Sequence, residues 1–142
     1  MNEKVTWVKG IEFVGSAASG GSLKVGGEGN LKPTEMVMLG LAGCTAMDVI
    51  SILGKKQQAV TAFEVSVEST RRADHPMSFT SATVHYKVTG TNVDPVAVAR
   101  AIELSTTKFC TVSTTLEKAM PIAFAYTVHD EAGNQVAEGT VG

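Results

Sequence analysis

Pro33-Thr34-Glu35-Met36-Val37-Met38-Leu39-Gly40-Leu41-Ala42-Gly43-Cys44-Thr45-Ala46-Met47-Asp48-Val49-Ile50-Ser51-Ile52-Leu53 reads as one long helix, and the rest of the chain is arranged around it. Pro33 suits a first turn, where its missing N–H has no intrahelical partner to lose, and Glu35 places negative charge near the positive end of the helix dipole. Gly54, followed by Lys55 and Lys56, is the expected stop. Between these ends apolar residues leave almost no polar face, the pattern of a helix covered on all sides. The run approaches the roughly 20 apolar residues that cross a bilayer. Asp48, Thr45, Ser51 and the internal glycines argue against a membrane span. A single domain of this size would struggle to surround such a helix, so a second subunit is expected to help cover it.

Working outward, Lys4-Val5-Thr6-Trp7-Val8 and Ile11-Glu12-Phe13-Val14 read as short strands joined at Lys9-Gly10, with a third at Ser22-Leu23-Lys24-Val25. The Gly26-Gly27-Glu28-Gly29-Asn30 loop lacks the spacings of a phosphate-binding loop and leads into a proline, so it is read as a connection. Beyond the helix, residues 63–70 alternate apolar and polar, and residues 79–89 return as the second strand of an antiparallel hairpin. Asp94 and Pro95 open a second helix running from Val96 to about Lys108. A third runs from about Cys110 to Ala119 and is closed by Pro121. A strand follows at 122–129, then a polar turn at 130–134 and a frayed tail. The class is α+β, in one domain over residues 1–142.

At 142 residues, such a domain buries about 68% of the surface its unfolded chain exposes. A net charge of −2 gives no basic footprint for nucleic acid. The opening residues lack a charged segment followed by an apolar one and a cleavage site, so the expectation is a cytoplasmic protein. His75, His85 and His129 are dispersed without ligand spacing, so neither a metal nor another cofactor is expected.

The two cysteines carry the remaining chemistry. Their separation of 66 residues (110 − 44) excludes a C-x-x-C motif and a local zinc pattern. Cys44 lies about two turns inside its helix, where the dipole has faded and apolar neighbours by themselves leave an inert thiol. Cys110 falls at or near a helix start, where free N–H groups favour a thiolate. From spacing alone, two small buried hydrophobes is the ordinary reading. Asp48, four residues after Cys44, shares its side of the helix and reads as a satisfied acceptor.

The run from Pro33 to Val49 resembles the first signature of the OsmC/Ohr family, and Phe109-Cys110-Thr111-Val112-Ser113 resembles the second. Gly43 to Leu53 is closest to the YhfA-like branch. The resemblance implies an intertwined homodimer, with antiparallel sheets packed around a long central helix carrying Cys44 and a second helical region carrying Cys110. It implies peroxiredoxin-like defence against oxidative stress, in which Cys44 attacks a small apolar organic hydroperoxide. Cys110 then resolves the product as a disulfide, and an external dithiol restores both thiols. Glu35 is the neighbouring carboxylate that many relatives also carry, and two readings stand equal for it: pointing toward Cys44, or complementing the helix dipole. The departures are specific. No arginine precedes Arg71, Lys24 stands near the place of the family's activating arginine, and Thr34 directly follows the proline where one branch has glutamate. An ammonium does not reproduce a guanidinium's two-pronged donation. Arg71 and Arg72, in a turn, are the other candidate cations. The alternative that these departures raise is a non-enzymatic small-molecule-binding or redox-responsive protein.

Overall fold

Trp7 and Phe13 stand opposite one another on β1 (Lys4–Lys9) and β2 (Glu12–Ser16), and Phe13 pairs in turn with Val25 on β3 (Ser22–Val25). This register gathers Val5, Trp7, Phe13, Leu23 and Val25 on one face, because cross-strand partners point the same way. The three strands form an antiparallel sheet in chain order. The computed structural model describes residues 1–142 as two units, Met1–Leu39, which holds this sheet, and Gly40–Gly142.

Helix α1 (Pro33–Lys55) begins in the first unit and ends in the second. At its start the Lys32 N–H donates to Glu35 Oε1 at 2.9 Å, one half of a capping box. It runs one residue past Gly54 and closes where Gln57 turns left-handed (φ 57°), with Gln58 N–H reaching back to the Leu53 carbonyl at 3.0 Å. That six-residue return satisfies a terminal carbonyl as a Schellman motif does.

The second unit holds a four-stranded sheet in the order β4 (Ala59–Arg71), β5 (Phe79–Thr91), β6 (Ile122–His129), β7 (Gln135–Val141). On β5 the alternate residues Ala82, Val84, Tyr86 and Val88 are buried, and Phe124 and Val128 continue that layer on β6. β4 and β5 form the expected antiparallel hairpin, whereas β5 and β6 run parallel. A parallel pair needs a long crossover. It is supplied by α2 (Pro95–Leu104), one π-helical turn (Ser105–Phe109) and α3 (Thr111–Leu116). Asp94 caps α2 as its sequence indicates, its Oδ1 accepting the Val96 N–H at 2.9 Å.

The tail and the crossover differ from expectation. The tail expected to fray is strand β7, paired antiparallel with β6 through Val141, Gly139 and Ala137, because the open edge of β6 satisfies its backbone groups. The helix expected to reach Lys108 gives way to the π turn after Leu104, and α3 is shorter than expected, with Cys110 as its N-cap. Within this chain α1 is not covered all round. Leu41, Ala42, Thr45, Val49 and Leu53 are buried, but Met47 is 73% exposed and Leu39 55%. The helix is long and apolar enough to cross a membrane by length and composition.

Candidate functional site: two thiols and a buried hydroxyl chain

The site is built from the part of α1 after Leu39, β5 and the crossover, all within Gly40–Gly142. The local sequence Ser105-Thr106-Thr107 explains why the crossover leaves α-helical form. The hydroxyls of Thr106 and Thr107 donate to the carbonyls of Ile102 and Glu103, at 3.0 and 2.6 Å, and compete with the backbone ladder. The ladder widens, and the Cys110 N–H reaches the Ser105 carbonyl at 2.7 Å. π turns inside helices often mark functional sites.

Cys110 follows this turn and is only 1% exposed. As N-cap of α3 its Sγ accepts the Ser113 N–H at 3.3 Å. That bond favours a thiolate, as the sequence suggests, but burial outweighs it and pushes the Cys110 thiol above its ordinary value. Ser113 acts in the opposite, lowering direction. The neighbouring Cys44 raises Cys110 further. Both cysteines are free, and Cys44, on α1, is the more accessible of the two.

Beside them runs a chain of buried hydroxyls. Tyr86 Oη lies 2.8 Å from Thr45 Oγ1, which lies 2.8 Å from Ser105 Oγ. Ser105 Oγ donates to Asp48 Oδ2 at 2.9 Å. Asp48 is thus the satisfied acceptor expected of it. Burial holds the Tyr86 phenol protonated through and beyond the usual tyrosine range. No buried side-chain nitrogen or oxygen lacks a partner. Thr45, Tyr86 and Ser105 are missing from the sequence reading. The available signals were a lone threonine in the apolar run beside Cys44, and a tyrosine in the buried phase of β5.

The structure brings together two of the three predicted site residues. Cys44 and Cys110 are neighbours. Glu35 caps the N-terminus of α1, nine positions ahead of Cys44 in sequence, and its carboxylate accepts the Lys32 N–H. Of the candidate cations, Lys24 is exposed on β3. Arg71 is engaged within its own hairpin, its Nε donating to the Met77 carbonyl at 2.8 Å and its guanidinium 5.8 Å from the centre of the Phe79 ring. Arg72 lies just past β4, at the hairpin's turn. No group of three or more His, Cys, Asp or Glu is placed to hold a metal.

A fold with two neighbouring thiols, one on a long helix and one at the N-cap of a second helix, matches a known family. The sequence model described as OsmC-like protein matches residues 26–125, and the chain belongs to that family. It is 43% identical to Protein YhfA of Escherichia coli K12 over 131 residues, which cover 90% of this chain and 98% of that one. Among solved structures, a hypothetical protein from Aquifex aeolicus superposes with a TM-score of 0.84 at 24% identity, covering 92% of this chain and 96% of the other. The organic hydroperoxide resistance protein OhrB of Bacillus subtilis shares the fold, with a TM-score of 0.59 at 13% identity and coverage of 89% and 98%.

Proposed function

We propose that the protein is a cytoplasmic, homodimeric thiol peroxidase that reduces organic hydroperoxides through Cys44 and Cys110. The observation that carries this reading is the contact between an accessible thiol on α1 and a buried, proton-retaining thiol at the head of α3. The Cys44 thiolate attacks the distal peroxide oxygen and the O–O bond breaks. The alkoxide leaves as an alcohol after taking a proton, and Cys44 becomes a sulfenic acid. Cys110 then attacks the Cys44 sulfur and displaces hydroxide, which departs as water with the proton Cys110 has kept. An external dithiol reduces the resulting disulfide by exchange. The name of the Bacillus subtilis relative points to the same substrate class.

A homodimer follows from apolar surface that one chain leaves open. Leu39, Met47 and Ile50 on α1 are exposed, as are Val5, Trp7 and Leu23 on the N-terminal sheet. Large contiguous apolar patches mark association sites. Glu35 acts in this reading through the helix terminus it caps.

One observation favours the alternative of a non-enzymatic small-molecule-binding or redox-responsive protein: Arg71, one of the candidate activating cations, is engaged within its own hairpin by the Met77 carbonyl and the Phe79 ring. The deciding experiment is consumption of a limiting organic hydroperoxide by the purified protein with a dithiol reductant, comparing the native chain with Cys44→Ser. Turnover that vanishes in the variant establishes the peroxidase, and equal rates establish the binding protein.

A further inference from the structure

We propose that Asp48 is a positioning residue: by holding Ser105 against α1 it fixes the π-helical turn that delivers Cys110 to Cys44. The proposal rests on the reading of these two thiols as a reacting pair.

Cys44 and Asp48 are four residues apart on α1 and share one side of it. Thr45 lies between them in sequence, and both Thr45 and Asp48 bond to the same hydroxyl, that of Ser105. The direction of every proton in this chain then follows. An ionised carboxylate only accepts, so the Ser105 O–H goes to Asp48. Ser105 has spent its single proton there, so it accepts from Thr45. Thr45 in turn accepts from Tyr86, whose buried phenol keeps its hydrogen.

Ser105 is also the first residue of the π turn, and its carbonyl receives the Cys110 N–H at 2.7 Å. Two hydrogen bonds therefore connect the Asp48 carboxylate to the Cys110 backbone. Between them, Thr106 and Thr107 spend their hydroxyls on the carbonyls of Ile102 and Glu103, so the turn is not held by a regular ladder. Its fixed point is the Ser105 side chain. The bond anchoring it is charge-assisted, the stronger kind. The carboxylate thus ties the segment bearing Cys110 to the helix bearing Cys44.

The test is equilibration of the intact protein with mixtures of reduced and oxidised glutathione. The protein dithiol reacts with oxidised glutathione to give the Cys44–Cys110 disulfide and two molecules of reduced glutathione. The S–S bond of the reagent breaks as the protein's forms, and both thiol protons pass to glutathione. The midpoint reports how well the two thiols are held together. Asp48→Ala and Ser105→Ala are expected to weaken disulfide formation by about tenfold, the factor equivalent to one charge-assisted hydrogen bond of about 1.4 kcal/mol. Asp48→Asn keeps an acceptor oxygen and is expected to stay within about threefold of native, so the proposal remains testable even if the alanine variant folds poorly. Thermal melting of each variant separates positioning from stability. A native midpoint in a folded Asp48→Ala protein overturns the proposal, as does an asparagine variant that loses as much as alanine. A native protein that forms no intramolecular disulfide at any glutathione ratio removes both the proposal and the resolving step. An Asp48-dependent midpoint without hydroperoxide turnover removes the peroxidase and leaves the clamp in place.

Discussion

Cys44 and Cys110 are neighbours in opposite settings. Cys44 lies in mid-helix, without the help of a helix terminus, yet is partly accessible. Cys110 holds the helix position that ordinarily favours a thiolate, and is 1% exposed. An N-cap contributes one or two hydrogen bonds to a thiolate, while burial removes the whole solvation of the charge. At Cys110 the second effect is larger, so the thiol there waits protonated. The difference suits a division of labour in which one sulfur meets the oxidant and the other is kept from it until needed.

The largest effect expected from this contrast is on turnover. Cys44→Ser is expected to abolish hydroperoxide consumption, whereas Cys110→Ser permits one round and then stalls, with Cys44 accumulating sulfinic acid that mass spectrometry detects. Equal multiple-turnover rates in native protein and Cys110→Ser would break the comparison. Next comes accessibility. With iodoacetamide at neutral pH, Cys110 is expected to react at least about tenfold more slowly than Cys44, because it must wait for local opening. Peptide mapping over time measures both rates, and similar rates would mean the buried setting does not persist in solution.

A smaller effect tests the polar chain behind the pair. Thr45→Val leaves the hydroxyls of Tyr86 and Ser105 short of a buried partner, and is expected to cost about 1–3 kcal/mol in a denaturant melt. Tyr86→Phe in the same background should lose less than it does alone, since the two residues share one bond. The smallest effect is on pH dependence. In the unfolded chain Cys110 titrates near the ordinary thiol value of about 8.5. In the folded protein it titrates higher. The unfolded state therefore binds fewer protons above that pH, and stability falls as pH rises from about 8.5 toward the folded value. Cys110→Ser is expected to flatten this decline, measured as melting temperature against pH. An unchanged slope would show that burial does not hold the Cys110 proton.

Much of this was legible along the chain. The central helix, the first three strands, the hairpin and the Asp94 cap each follow from a local pattern: periodicity, a turn residue or a capping side chain. Two signatures in the right order marked the family. The missed elements share a different cause. β7 is a weakly apolar segment made into a strand by the open edge of β6. The π turn arises because three consecutive hydroxyl-bearing residues find partners both in their own helix and on α1. The α1 stretch is apolar all round in composition, and within this chain Leu41, Ala42, Thr45, Val49 and Leu53 are its buried residues.

The sequence by itself determined the central helix, the first three strands, the hairpin and the start of α2, the family to which they belong, and that chemistry rests on two cysteines 66 positions apart (110 − 44). It did so because hydrophobic period, caps and turns act over a few residues and are written in order. The tertiary structure alone decided that the two thiols are neighbours, that Cys110 keeps its proton despite its helix start, and that Asp48, Ser105, Thr45 and Tyr86 form one chain of hydrogen bonds. Burial and hydrogen-bond partners are set by segments distant in sequence, and the relative size of desolvation and hydrogen bonding is fixed only once those segments are in contact.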